Sequence, residues 1–283
     1  MVIILMIFFL VGLSVGSFIN AFQYRVQIGK KNTGRSFCPK CKHQLAWYDL
    51  IPLLSFFLLK GRCRYCGKAI SIQYPLIEFI TAVLFVAVGI KSGYIQKIND
   101  LLLGSLSFSN KEVFVILLSV LCLLLIVGCL VLIALHDFKT KYVLSLVVYV
   151  TMGASLLFLI VNYGGQVSSW PLFEYFYPFV APSLIAAGVF FAIYAISRGK
   201  WMGAGDIEIA AAMGLFLGWP DTMIAFYVAF ILGAIIGTVL LVVQKAKLKT
   251  EVPFGPFLIT GTFVAYLFGT QIVWFYDRIF LGF

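Results

Sequence analysis

Charged side chains are scarce in this sequence. Asp, Glu, Lys and Arg make up 11% of its 283 residues, against about a quarter in a soluble domain. With 62% apolar residues and 28 Phe, that scarcity excludes a globule surrounded by water on all sides. Three further absences narrow the field. No basic groove with interleaved stacking aromatics is apparent, which argues against nucleic acid as a partner. No clear inverted repeat relates the two halves, which weighs against an ion-coupled transporter. No Gly-rich Rossmann fingerprint occurs, so no nucleotide-like site can be placed by motif.

What remains is a series of apolar stretches, several approaching the ~20 residues that a helix needs to cross about 30 Å of hydrocarbon. Backbone groups facing lipid must satisfy their own hydrogen bonds, so the expected fold is all-α. Hydropathy predicts an all-α polytopic membrane protein of about eight transmembrane helices: 1–22, 73–90, 113–135, 142–161, 176–197, 207–218, 222–243 and 254–275. The sixth is short. The first run, Met1 to Phe22, has neither a basic n-region nor a small-residue cleavage site before its polar end. It reads as a retained span, not a signal peptide.

Alternating loops test this scheme. Of the 21 Lys and Arg residues, 17 fall on one side, ten of them between Arg25 and Lys68, and only Lys91, Lys97, Lys111 and Arg278 fall on the other. By the positive-inside rule the basic side is cytoplasmic and both termini are non-cytoplasmic. The net charge of +10 is then first a topology signal, with contact to anionic lipid headgroups second.

The largest polar segment carries "CPKC" at Cys38 and Cys41 and "CRYC" at Cys63 and Cys66. Two Cys-x-x-Cys pairs at this separation suit a tetrahedral zinc with four thiolates, which leaves no open position and so makes the site structural. A cytoplasmic location favours metal over disulfides. Between the pairs, "LAWYDLIPLLSFFLL" (Leu45 to Leu59) is apolar but short, with Asp49 and Pro52 inside it. If it crossed the membrane, the two pairs could not share one ion, so it is expected to lie along the interface.

Eleven acidic residues can be weighed singly. Seven (Asp49, Asp100, Glu112, Glu174, Asp221, Glu251 and Asp277) fall in loops or at span ends, where solvation or capping explains them. Asp137, in "LIALHDFKTKY", ends the third span at the cytoplasmic side, and Asp206, in "MGAGDIE", begins the sixth from that side. Two carboxyls at matched depth can converge on one water and divide general-base and general-acid work, with one proton held between them. Gly203 and Gly205 allow a tight approach to Asp206. A helix cap remains the alternative for Asp206.

Taken together, "GAGD" with an upstream membrane-edge aspartate, "VGSFINAFQYR", the cysteine loop, "QYPLIEFITA" and "PFGPFL" resemble the bacterial type IV prepilin peptidases. The likeness extends over nearly the whole chain, with the motifs in the expected order. Archaeal preflagellin peptidases and presenilin-like proteases use a similar aspartate pair but lack the cysteine loop. The resemblance implies a bifunctional enzyme of the bacterial inner membrane. It would cleave the basic leader of prepilins and pseudopilins after a glycine at the cytoplasmic face, then N-methylate the new terminus with S-adenosylmethionine. It implies Asp137 and Asp206 as the catalytic pair, and Cys38, Cys41, Cys63 and Cys66 as zinc ligands. The implied division is a first helix (1–23), a zinc-binding cytoplasmic loop with the methyltransferase part (24–74) and a peptidase bundle (75–283). Rival readings are a leader peptidase without methyl transfer and an ion-coupled transporter or assembly scaffold.

Two departures stand out. Glu208 occupies a position where relatives often carry lysine, and "FKTKYVLS" lacks a proline common after the first aspartate. Glu78, about a turn inside the second span, and Asn20, in "GSFIN", are candidates for substrate or methyl-donor contact. Their alternative is hydrogen bonding between helices.

Overall fold

The computed structural model describes residues 1–29, 34–104, 108–163, 172–243 and 252–281. Lys245, Lys247 and Lys249, used above to assign sidedness, lie outside the described residues. Ten α-helices are present among the described residues, with no strand beyond two isolated bridges. They are α1 (Val2–Gln27), α2 (Leu54–Leu58), α3 (Gln73–Lys91), α4 (Tyr94–Leu103), α5 (Asn110–Thr140), α6 (Ser145–Tyr163), α7 (Leu172–Ser197), α8 (Ala204–Leu217), α9 (Asp221–Val242) and α10 (Gly255–Tyr276).

Seven of these are long and apolar enough to cross a membrane, so the chain is a multi-pass membrane protein. The expected sixth span is α8. Its 14 residues rise only about 21 Å at 1.5 Å each. Hydropathy also understates α5, which continues past its apolar stretch through His136 to Thr140, because polar residues at a helix end do not break its backbone bonding. α4 is amphipathic and was not foreseen; its Tyr94 and Ile95 are buried.

The chain divides into two compact units, Met1–Ile116 and Leu117–Phe283. In the first, α1 and α3 run antiparallel and nearly touch backbone to backbone. A Cβ added at Gly12 would lie 2.5 Å from Ala82 Cα, and one at Gly16 would lie 2.7 Å from Glu78 Cα. Glycines four apart thus form the flat face that lets two membrane helices close on each other. In the second unit, α8 packs against α6, α7 and α10. Gly214 of α8 lies against the Ser183 backbone, and the Ser183 hydroxyl donates to the Ala211 carbonyl at 2.7 Å. α8 is thereby a core helix, buried from Ala212 through Leu217.

Candidate active site and metal centre

α5 ends where the Lys141 N–H donates to the Asp137 carbonyl at 2.8 Å, with Lys141 at φ 58°. That left-handed residue closes the helix and starts the short turn to α6, so the missing proline does not prevent the turn. Asp137 lies in the last turn of α5, 4% exposed. The opposite wall begins at Gly203, which precedes α8 in an extended conformation. A side chain at Gly205 would collide with Val143 of the α5–α6 turn. Glycine there lets the start of α8 press against the end of α5, and Asp206 is the next residue.

The two carboxylates are brought together. Asp137 lies within Coulombic reach of Asp206, and both are buried. Asp206 also faces the Gly203 backbone N–H, although α8 begins without a side-chain cap. α10 forms the third side. The Gly255 N–H faces the Asp137 carboxylate. A Cβ at Gly255 would stand 2.5 Å from Asp137 Oδ2 and 3.0 Å from Ile209 Cδ1, one turn beyond Asp206. Asp137 Oδ2 has no hydrogen-bond partner among the described residues, so an acceptor is left for a water. "PFGP" (Pro253 to Pro256) reads from the sequence either as a helix start or as a backbone segment beside the aspartates; Gly255 within it starts α10, with Pro256 in the first turn, and lies against Asp137. Glu208 turns away from this pair toward α6, where its Oε1 accepts from the Tyr149 hydroxyl at 3.2 Å.

In the first unit the cysteine loop forms two knuckles of the same design. Cys38 N–H donates to His43 O and Lys42 N–H to Cys38 O, each at 2.9 Å; Cys63 N–H to Lys68 O and Gly67 N–H to Cys63 O repeat this, also at 2.9 Å. Lys42 and Gly67, each four residues after the first cysteine of its pair, both take positive φ. The rings of His43 and Tyr65 meet across the knuckles with centroids 3.7 Å apart, tilted by 32°. All four Sγ atoms lie within 4.8 Å of one another. Thiolates about 2.3 Å from a tetrahedral zinc would stand roughly 3.8 Å apart, so the donor set fits a metal ion. Burial raises the Cys38 thiol, but hydrogen bonds from the Cys41 and Lys40 backbone, with those from the Cys63 and Cys41 side chains, outweigh it and bring it down to about 7. The thiolate needed for ligation is therefore accessible near neutrality.

Leu45 to Leu59 does not span. It forms a one-turn 3-10 segment (Trp47–Leu50) and α2, with Trp47 and Phe57 exposed. Asp49, foreseen only as a loop acid, accepts from Arg64 Nε at 2.8 Å, Tyr65 Oη at 3.1 Å and the Ala46 N–H at 3.3 Å. Burial pushes its carboxyl up, but these donors outweigh that and hold it below the usual range. Glu78 of α3 and Asn20 of α1 belong to the same unit. Glu78 Oε2 accepts from the Leu53 N–H at 2.9 Å, and Asn20 Nδ2 donates to Tyr74 O at 3.0 Å.

Comparison with known proteins agrees with this division. The family model for the bacterial peptidase A24 N-terminal domain matches residues 10–92, and that for the type IV leader peptidase family matches residues 123–238. A Klebsiella pneumoniae protein named prepilin leader peptidase/N-methyltransferase is 34% identical over 226 residues, covering 76% of this chain and 87% of that protein. The chain belongs to the type IV leader peptidase family. Proteins of the same name from Bacillus subtilis (strain 168) and Aeromonas salmonicida (strain A449) are similar too. The first is 29% identical over 279 residues (98% of this chain, 100% of that protein), the second 30% over 244 residues (86% and 74%). No solved structure matches the chain. The first family match takes in α1 beyond its first turns, the cysteine loop and α3; the second takes in both aspartates with Gly203 and Gly205. Gly255 lies beyond the second match.

Proposed function

We propose that this protein cleaves the basic leader from prepilins and pseudopilins at the cytoplasmic face of the bacterial inner membrane and N-methylates the residue so exposed. The observation that carries the peptidase half is the meeting of Asp137 and Asp206, 69 positions apart in sequence, as two buried carboxylates within Coulombic reach. One carboxylate takes a proton from a water, whose oxygen adds to the glycine carbonyl carbon, while the other gives its proton to the carbonyl oxygen. When the tetrahedral centre collapses, the C–N bond breaks and the leaving nitrogen takes up a proton to become the new terminal amine. Gly205 keeps the start of α8 close enough for this, and the Gly255 N–H orients Asp137.

In the second half, the free amine nitrogen attacks the methyl carbon of S-adenosylmethionine, releasing S-adenosylhomocysteine and a proton. Cys38, Cys41, Cys63 and Cys66 would hold a structural zinc that keeps residues 24–74 folded. Of the two polar candidates on this side, Asn20 and Glu78, it is Asn20, with Oδ1 unpartnered among the described residues, that is proposed for substrate or methyl-donor contact, since Glu78 is engaged by the Leu53 N–H. Membrane lipid would surround the spans, and the excess of Lys and Arg supports a cytoplasmic side for the cysteine loop and the aspartates, with both termini opposite.

Incubating the purified protein with a prepilin and labelled S-adenosylmethionine, and reading both products, tests the proposal. Leader loss with a mass gain of ~14 Da on the mature terminus is expected for one added methyl. Leader loss without the gain would reduce the function to a peptidase. Neither product would overturn the reading.

A further inference from the structure

The strap between the two cysteine pairs is fastened at two points. Near its start, Asp49 holds Arg64 and Tyr65 of the second knuckle. Farther along, the Leu53 N–H donates to Glu78 Oε2 of α3 at 2.9 Å, and the Ser17 hydroxyl of α1 donates to the same carboxylate. Leu53 has φ 59° and ψ −52°, and the Leu54 N–H reaches back to Pro52 O at 2.6 Å. This is the rare γ-turn of positive φ, which an L-residue adopts only where its surroundings hold it. The Glu78 carboxylate is what holds it here. Gly16, lying against Glu78 Cα, brings α1 close enough for Ser17 to take part.

We propose that Glu78 is a positioning residue for methyl transfer: its carboxylate, shared by α1, α3 and the strap, fixes the cysteine knuckles in place over the first two membrane helices. This deepens the reading above and rests on it for the words methyl transfer. Glu78 already serves two donors, so it acts through Leu53. Asn20 Oδ1, buried and with no donor among the described residues, is the group left to meet a ligand directly. The exposed apolar face of the strap, with Trp47, Phe57 and Leu58, suits the headgroup region but fixes no orientation along it. The Asp49 and Glu78 ties supply that orientation.

The test uses the full-length protein with Glu78→Leu and Glu78→Gln, whose amide oxygen can still accept from Leu53. Two readouts are taken: the rate of trypsin cutting after Lys60 and Arg62, and KM and kcat for methylation of a processed pilin peptide. Loss of one charge-assisted hydrogen bond is worth about a tenfold change in the ratio of held to released strap. Glu78→Leu should therefore be cut about tenfold faster and show a KM raised by a similar factor, with kcat much less affected. Glu78→Gln should behave like the parent in both. Parental cutting of Glu78→Leu overturns the proposal, and so does a Glu78→Gln variant that methylates as poorly as Glu78→Leu while its strap stays protected. Should Glu78→Leu not accumulate, Glu78→Gln decides alone: impaired methylation with a strap as protected as the parent's overturns the proposal. A parent that removes leaders but transfers no methyl group sinks the methyl-transfer reading instead, and accelerated cutting of Glu78→Leu still reports the latch.

Discussion

Gly255→Ala adds one methyl group at the start of α10, directly against the Asp137 carboxylate. Its Cβ would stand 2.5 Å from Asp137 Oδ2 and 3.0 Å from Ile209 Cδ1. An ordinary carbon–oxygen contact is about 3.4 Å, so the carboxylate must retreat by roughly 0.9 Å. Both crowded atoms are ends of side chains that can swing, so the fold yields at the low end of overpacking costs, about 1 kcal/mol. The reaction is less forgiving, because a displacement of about 1 Å in a reacting group costs ~100-fold in rate, or about 2.7 kcal/mol of barrier. Initial rates of leader removal from a prepilin in detergent, beside a thermal unfolding scan, read the two quantities separately. The expected outcome is cleavage about 100-fold slower with the unfolding midpoint moved by only about 2–4 °C. Cleavage at the parental rate by the folded variant would refute the placement of Gly255 against a working carboxylate.

Gly16→Ala should show the opposite balance. Its Cβ would fall 2.7 Å from Glu78 Cα, a backbone atom that cannot swing aside, so α1 and α3 must separate. A loss of about 1–3 kcal/mol is expected, read as a lowered unfolding midpoint with methyl transfer impaired more than leader cleavage. Cys38→Ser should abolish stoichiometric metal in elemental analysis and expose the loop to protease, since a structural site contributes its binding energy to folding. Retained metal at the parental level would contradict four-thiolate ligation.

The spans were legible because a bilayer imposes length and apolarity on any helix that crosses it, and 73–90 needed almost no revision against α3. The cysteine site was legible because two Cys-x-x-Cys pairs have few other uses, and the four sulfurs do converge. Matched depth was the cue that set Asp137 beside Asp206 as a candidate pair, and the two lie within Coulombic reach. What the sequence left open depends on contacts between distant segments. Nothing local to Glu78 names Leu53, 25 residues earlier, as its donor. Asp49 reads as a loop acid until the second knuckle folds back and delivers Arg64. "PFGP" reads equally as a helix start and as a segment beside the aspartates, and only packing shows which carboxylate a side chain at Gly255 would strike.

The claim on which the account depends is that Asp137 and Asp206 work as one unit around a single water. Leader cleavage by purified Asp137→Asn, Asp206→Asn and the double variant, each checked for a parental unfolding midpoint, tests it most directly. Residues that act as a unit are strongly non-additive. The account predicts that either single change removes cleavage and that the double variant is no worse than the singles. A single variant that still removes the leader at the parental rate would contradict it.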